Sequence, residues 1–180
     1  MRRGVKFVHL TSSDAIPAYI TVAISTRNER KSTSISKMLI QEDFPSVTSL
    51  VDRAYELSLG KNCCRAATVS IDPGKRIGAA FLCDDLLTRT EVFHRKQEAA
   101  EEAELFFKSH QCQRSEVIIG AGAPEHRDQL LYYLRRISAP NLKIYLVDEN
   151  SSHGNIYIPR NLSKDEGSAI SISSRRGHRV

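Results

Sequence analysis

Three short stretches of this chain set carboxylates beside turn-forming or helix-starting residues. Asp72 is followed at once by Pro73-Gly74, Asp148 and Glu149 precede Asn150-Ser151-Ser152, and Asp165 and Glu166 follow Ser163-Lys164. Carboxylates brought together from separate segments repel one another unless a cation neutralises them. Oxygen-only ligands with no cysteine cluster nearby suit a hard divalent ion, Mg2+ or Mn2+, which keeps waters and takes substrate phosphates as further ligands. Two such ions roughly 4 Å apart activate an attacking water and stabilise the leaving oxygen in phosphodiester cleavage. Each stretch also has a plain structural use. Asp before Pro-Gly starts a β-turn, Asp148 and the serines after it satisfy loop backbone, and Ser163 with Glu166 fits a capping box that explains Glu166 without function. Asp165 is favoured near any helix start by the macrodipole.

The elements that position these residues are legible from residue 67 onward. Ala67 to Asp72 and Ile77 to Cys83 read as two strands around a Pro-Gly turn, closed by Asp84-Asp85, and Thr88 to His94 as a third. Lys96 to Ser109 is expected to be a helix, with Ala99, Ala100, Ala103, Phe106 and Phe107 inward and Glu98, Glu101, Glu102 and Glu104 on a solvated face. Glu116 to Gly120 and Leu142 to Val147 are short apolar strands of the kind covered on both sides. Between them Pro124 opens a helix with Leu130, Leu131, Leu134 and Ile137 inward. Ser163 to Ser173 is the closing helix. The order β-β-β-α-β-α-β-α makes the first three strands antiparallel and the last two parallel to the first. The fold class is therefore α/β with a mixed five-stranded sheet, and its function belongs at the carboxyl ends of the parallel strands, where Asp72 and Asp148-Glu149 lie.

Residues 1–66 read as a small α/β segment of unassigned role. Lys6 to Leu10 and Ala18 to Ser25 are strand-like, and two helices follow. The clearer one is capped by Ser46 and stopped by Gly60, with Val47, Leu50, Val51, Ala54 and Leu57 on one stripe. Arg27, Arg30 and Lys31 beside Asn28 suit either a phosphate-contacting loop or a solvated helix start. Residues 174–180 form a basic tail.

Composition narrows the classes. Hydrophobic residues at 41% and charged residues at 26% of 180 are ordinary for a globular protein, and no apolar run approaches the roughly 18 residues of a membrane span. The basic start is interrupted by His9, Ser12, Ser13 and Asp14, so no signal peptide is expected. The four cysteines, with Cys63 and Cys64 adjacent, read as reduced thiols of a cytoplasmic protein, and no C-x-x-C pair supports zinc. A net charge of +5 points to an anionic partner, with nucleic acid leading.

The string Ile71-Asp72-Pro73-Gly74-Lys75-Arg76-Ile77-Gly78 resembles the first motif of RuvC/YqgF-type proteins of the RNase H-like superfamily. Val147 to Ser152 is similar to the Asp-Glu-Arg-x-Thr-Thr segment of YqgF-type nucleases, and Asp165 to Ile172 to their closing helix. The resemblance spans about residues 67 to 173. It implies an RNase H-like domain that cuts RNA or branched DNA with Mg2+ or Mn2+. It implies Asp72, Glu149 and Asp165 as catalytic metal ligands, with Asp148 in a supporting role. Two departures stand out. The fourth strand ends Gly120-Ala121-Gly122-Ala123-Pro124, without the acid of resolvases, and Asn150 and Ser168 replace a motif arginine and a second aspartate.

The expected function is thus a metal-dependent nuclease acting on nucleic acid, with residues 1–66 left to bind substrate, mediate homodimerisation or cover the sheet. The alternative is an RNase H-like protein that binds nucleic acid without cutting it. A third reading, an actin-like or sugar-kinase phosphate loop at Asp72-Pro-Gly, needs two such domains and a longer chain.

Overall fold

In a computed structural model the described residues are 5–11, 13–29, 37–110, 112–148, 161–175 and 177–180. The chain divides into two compact units, one of residues 2–63 and one running from Cys64 to Val180.

In the first unit, β1 (Ala23–Ser25) and β2 (Met38–Ile40) pair in parallel, Ala23 against Met38 and Ser25 against Ile40. The strand expected at Lys6 to Leu10 does not form, and the one at Ala18 to Ser25 shrinks to its last three residues. Strand preference is expressed where a pleated face is covered, whereas Phe7 is 89% and Tyr19 71% exposed. A 3-10 turn at Gln41–Asp43 precedes α1 (Val47–Ser58). This helix starts as its sequence predicts, with Ser46 Oγ accepting the Ser49 N–H at 3.1 Å. It is followed by Gly60 at φ +80°. Its buried side differs from the apolar stripe: Ser49, Leu50, Asp52 and Glu56 are buried, while Val47 and Val51 are exposed. The polar side is satisfied internally. Arg53 lies 3.1 Å from Glu56 and donates to the carbonyls of Lys61 and Asn62. The Arg27 guanidinium is held by Asp43 at 2.6 Å, and Arg30 and Lys31 lie outside the described residues.

The second unit is a mixed sheet with helices on both faces. Its elements are β3 (Ala66–Asp72), β4 (Ile77–Cys83), β5 (Leu86–Phe93), α2 (Lys96–His110), β6 (Arg114–Gly120), α3 (Pro124–Leu134), β7 (Leu142–Val147), α4 (Lys164–Ser173) and β8 (His178–Arg179). The sheet order is β5-β4-β3-β6-β7-β8. β3 and β4, and β4 and β5, are antiparallel, and β3, β6 and β7 are parallel, as the element order required. The sheet has six strands rather than five, because the basic tail folds back and His178–Arg179 pair antiparallel with β7. The Val180 N–H reaches the Ile144 carbonyl at 3.0 Å. A tail rich in Arg carries no strand periodicity; the open edge of β7 recruits it through backbone groups that any sequence offers.

Alternation sorts the strand residues between two layers. Val69, Ile71, Ile77, Ala79 and Phe81 pack with α2 and α3, where Phe81 meets Phe106 edge to face at 5.3 Å between centroids. On the opposite face Ala80 packs with Ala169 and Ile170, and Ile118 and Val147 with Ile172. The glutamates of α2 are more engaged than a solvated face requires. Glu102 lies 2.6 Å from the buried Arg89, whose guanidinium stacks 3.6 Å from the Phe81 centroid, and Glu104 pairs with Lys108 at 2.7 Å. Asp84, at φ 52°, does more than close a strand: its carboxylate accepts the Arg65 and Ala66 N–H groups at 3.0 and 2.9 Å.

Candidate active site

The register of β3 and β4 decides which way Asp72 points. Asp72 stands directly opposite Gly78, and residues opposite each other in an antiparallel pair project to the same face. Two residues earlier, buried Ser70 donates its hydroxyl to the Ala169 carbonyl of α4 at 2.7 Å, so this parity of β3 faces α4. Gly78 then explains how closely α4 approaches. A Cβ at position 78 would lie 2.0 Å from the Asp165 carbonyl oxygen and 3.2 Å from its Cα. Only a residue without a side chain lets the first turn of α4 rest on the sheet there. The backbone of Asp165, 93 positions along the chain from Asp72, thus lies against the residue opposite Asp72, at the same sheet margin and on the same face.

Asp165 is already engaged. Its Oδ2 lies 3.1 Å from Arg76 Nε, with the aspartate side chain 27% and the arginine 56% exposed. Arg76 comes from the turn between β3 and β4, so the same turn that ends Asp72's strand supplies a cation to Asp165. From sequence, Arg76 is named within the first motif but given no role, although that place was the available signal.

Glu166 points elsewhere. Its Oε2 accepts the Ser163 N–H at 2.9 Å and the Ser163 hydroxyl at 2.8 Å, while the Glu166 N–H donates to Ser163 Oγ at 3.3 Å. That is the expected capping box. Oε1 accepts the hydroxyl of buried Thr90 at 2.6 Å, which ties α4 to β5. Burial favours the neutral acid, but the bonds from Thr90 and Ser163 outweigh it and hold the carboxyl below its ordinary value.

Asp148 directly follows β7 with an exposed side chain, and its carbonyl accepts Arg175 Nη1 at 3.2 Å. Glu149 lies outside the described residues. Among the described residues, no three His, Cys, Asp or Glu side chains converge as a metal-holding group. What the structure brings to one face of the margin is Asp72, opposite Gly78, and Asp165, whose backbone lies on Gly78 and whose carboxylate pairs with Arg76. Carboxylates of two different elements on one face are the type of oxygen donor that a hard cation takes, and in this structure the cation at Asp165 is Arg76. No helix among the described residues is long and apolar enough to cross a membrane.

No protein-family model matches the chain, and no curated protein matches its sequence.

Proposed function

We propose that the chain is a metal-dependent nuclease with an RNase H-like domain, hydrolysing phosphodiester bonds of RNA or structured DNA. The observation that carries this reading is the approach of Asp165 to the residue opposite Asp72, through the space that Gly78 leaves open. Asp72 and Asp165 would hold Mg2+ or Mn2+, with Glu149 completing the set and Asp148 supporting it. When bound, the ions supply charge neutralisation and activation of the attacking water. The chain's own residues set the stage for that. Pro73 and Gly74 turn the chain sharply after Asp72, β3 fixes its face, and Arg76 holds Asp165 ready. Once displaced, the exposed Arg76 guanidinium would be free to meet a phosphate oxygen, a partner its planar fork suits.

The test is digestion of structured RNA and four-way DNA in Mn2+ by the wild type and by Asp72→Asn. Cleavage by the wild type and its loss in a variant that melts at the same temperature support the reading. No cutting of either substrate by folded wild-type protein overturns it.

The Arg76–Asp165 pair favours a second reading, a nucleic-acid-binding protein in which the guanidinium permanently replaces the metal. Salt-sensitive binding with no turnover selects it.

A further inference from the structure

A cleft of about 710 Å3 opens between the start of α2 and the outer side of α3, within the range of sites that hold a small ligand or one unit of a polymer. One wall is His94, Arg95 and Lys96; the other includes Gln129, Tyr132 and Tyr133. Its position follows from the topology. Ile77, next to Gly78, pairs with Phe93, so the chain leaves β5 for α2 at the margin where Asp72 sits. α3 also starts from that margin, because β6 runs parallel to β3. Tyr132 and Tyr133 lie in its last turn, however, and α2 and α3 cover the sheet face opposite α4, so the cleft and Asp72 are on different faces.

The chemistry of the walls is uneven. Arg95 is paired with Glu98, and Asp128 with Arg127 at 2.8 Å. Lys96 makes no ion pair among the described residues, and His94 beside it is exposed. Tyr132 is 54% exposed in spite of its size. The Arg136 guanidinium lies 3.4 Å from its ring centroid, and Tyr133 stands perpendicular at 5.2 Å. The ring is therefore held in place from one face and one edge, while its remaining surface lines the cleft. A fixed aromatic ring lining the same cleft as Lys96 and His94 matches a ligand with a flat base and an adjoining phosphate.

We propose that this cleft binds single-stranded nucleic acid, with Tyr132 stacking an unpaired base and Lys96 and His94 meeting the neighbouring phosphate. The proposal rests on the nucleic-acid partner of the function proposed above and names the form of substrate: one with an unpaired stretch, held on the sheet face that α2 and α3 cover. A duplex keeps its bases stacked on one another and cannot offer a face to Tyr132.

The experiment is fluorescence anisotropy of a short labelled single strand, in EDTA so that binding is read without hydrolysis, with a blunt duplex and a mononucleotide as competitors. The wild type binds the single strand better than either competitor. Tyr132→Ala weakens binding roughly tenfold or more, Tyr132→Phe stays within about twofold because the ring is kept, and Lys96→Ala reduces the salt dependence by about one phosphate contact. Tyr132 is exposed, so matching thermal melts confirm that the alanine variant is folded. Equal binding by Tyr132→Ala, no measurable binding, or a duplex or mononucleotide competing as well as the single strand overturns the proposal. Binding through Tyr132 without Mn2+-dependent cutting leaves the cleft standing and removes the nuclease reading. Cutting that is indifferent to Tyr132 does the reverse.

Discussion

Glu166 and Asp165 are adjacent acids at the start of one helix with different work, and their partners decide which does what. Glu166 accepts from Thr90 and Ser163 and holds α4 to the sheet. Asp165 faces Arg76 at the sheet margin. The depressed carboxyl of Glu166 gives a pH prediction. A group whose folded pKa is lowered adds stability that is present above its unfolded value and fades as pH falls through the folded one. Thermal stability of the wild type should therefore fall as pH drops below the ordinary value of 4.5. Glu166→Gln loses that contribution, so its deficit is visible at pH 7 and narrows in acid. At neutral pH the deficit is about 1 to 2 kcal/mol, as for loss of a helix cap. A deficit that does not change with pH would remove Glu166 from the account.

At the scale of elements, α4 depends on one missing methyl group. The Asp165 backbone occupies the place of a side chain at position 78. Gly78→Ala must push α4 away from β4, which breaks the Thr90 and Ser70 contacts together. We expect a loss of about 3 kcal/mol or more in urea denaturation, at or above the upper end of the usual overpacking cost. Any cleavage should fall with it, since Asp165 moves away from Asp72. A variant as stable as the wild type would show that α4 sits less tightly on the sheet than its contacts require. The same logic explains why α1 escaped its apolar stripe: the Arg53–Glu56 pair and the carbonyls of Lys61 and Asn62 satisfy its polar side, so burial follows pairing rather than hydropathy.

Over the whole molecule, a net charge of +5 predicts association with polyanions that weakens as salt rises. The logarithm of the binding constant should fall linearly with the logarithm of salt concentration, with a slope of about −0.7 per phosphate contacted on a single strand. A filter-binding series in EDTA measures it. A flat salt response would mean that the charge is merely a solvated surface and would remove nucleic acid as the partner.

What the chain's residues settle alone is what local rules govern. The Ser46 and Ser163 caps, the hairpin around Pro73-Gly74, the apolar strands Glu116 to Gly120 and Leu142 to Val147, and the parallel run of β3, β6 and β7 all follow from periodicity, turn chemistry and short connections. The strand expected at Lys6 to Leu10 does not form because propensity has no effect without a neighbour to pair with, and β8 was invisible because edge pairing uses backbone groups that carry no side-chain signal. The sequence could name Asp72 and Asp165 as acids but not their placement on one face of one margin. That depends on β3–β4 register, on the face parity marked by Ser70, and on the packing space at Gly78, which exist only once distant segments have come together.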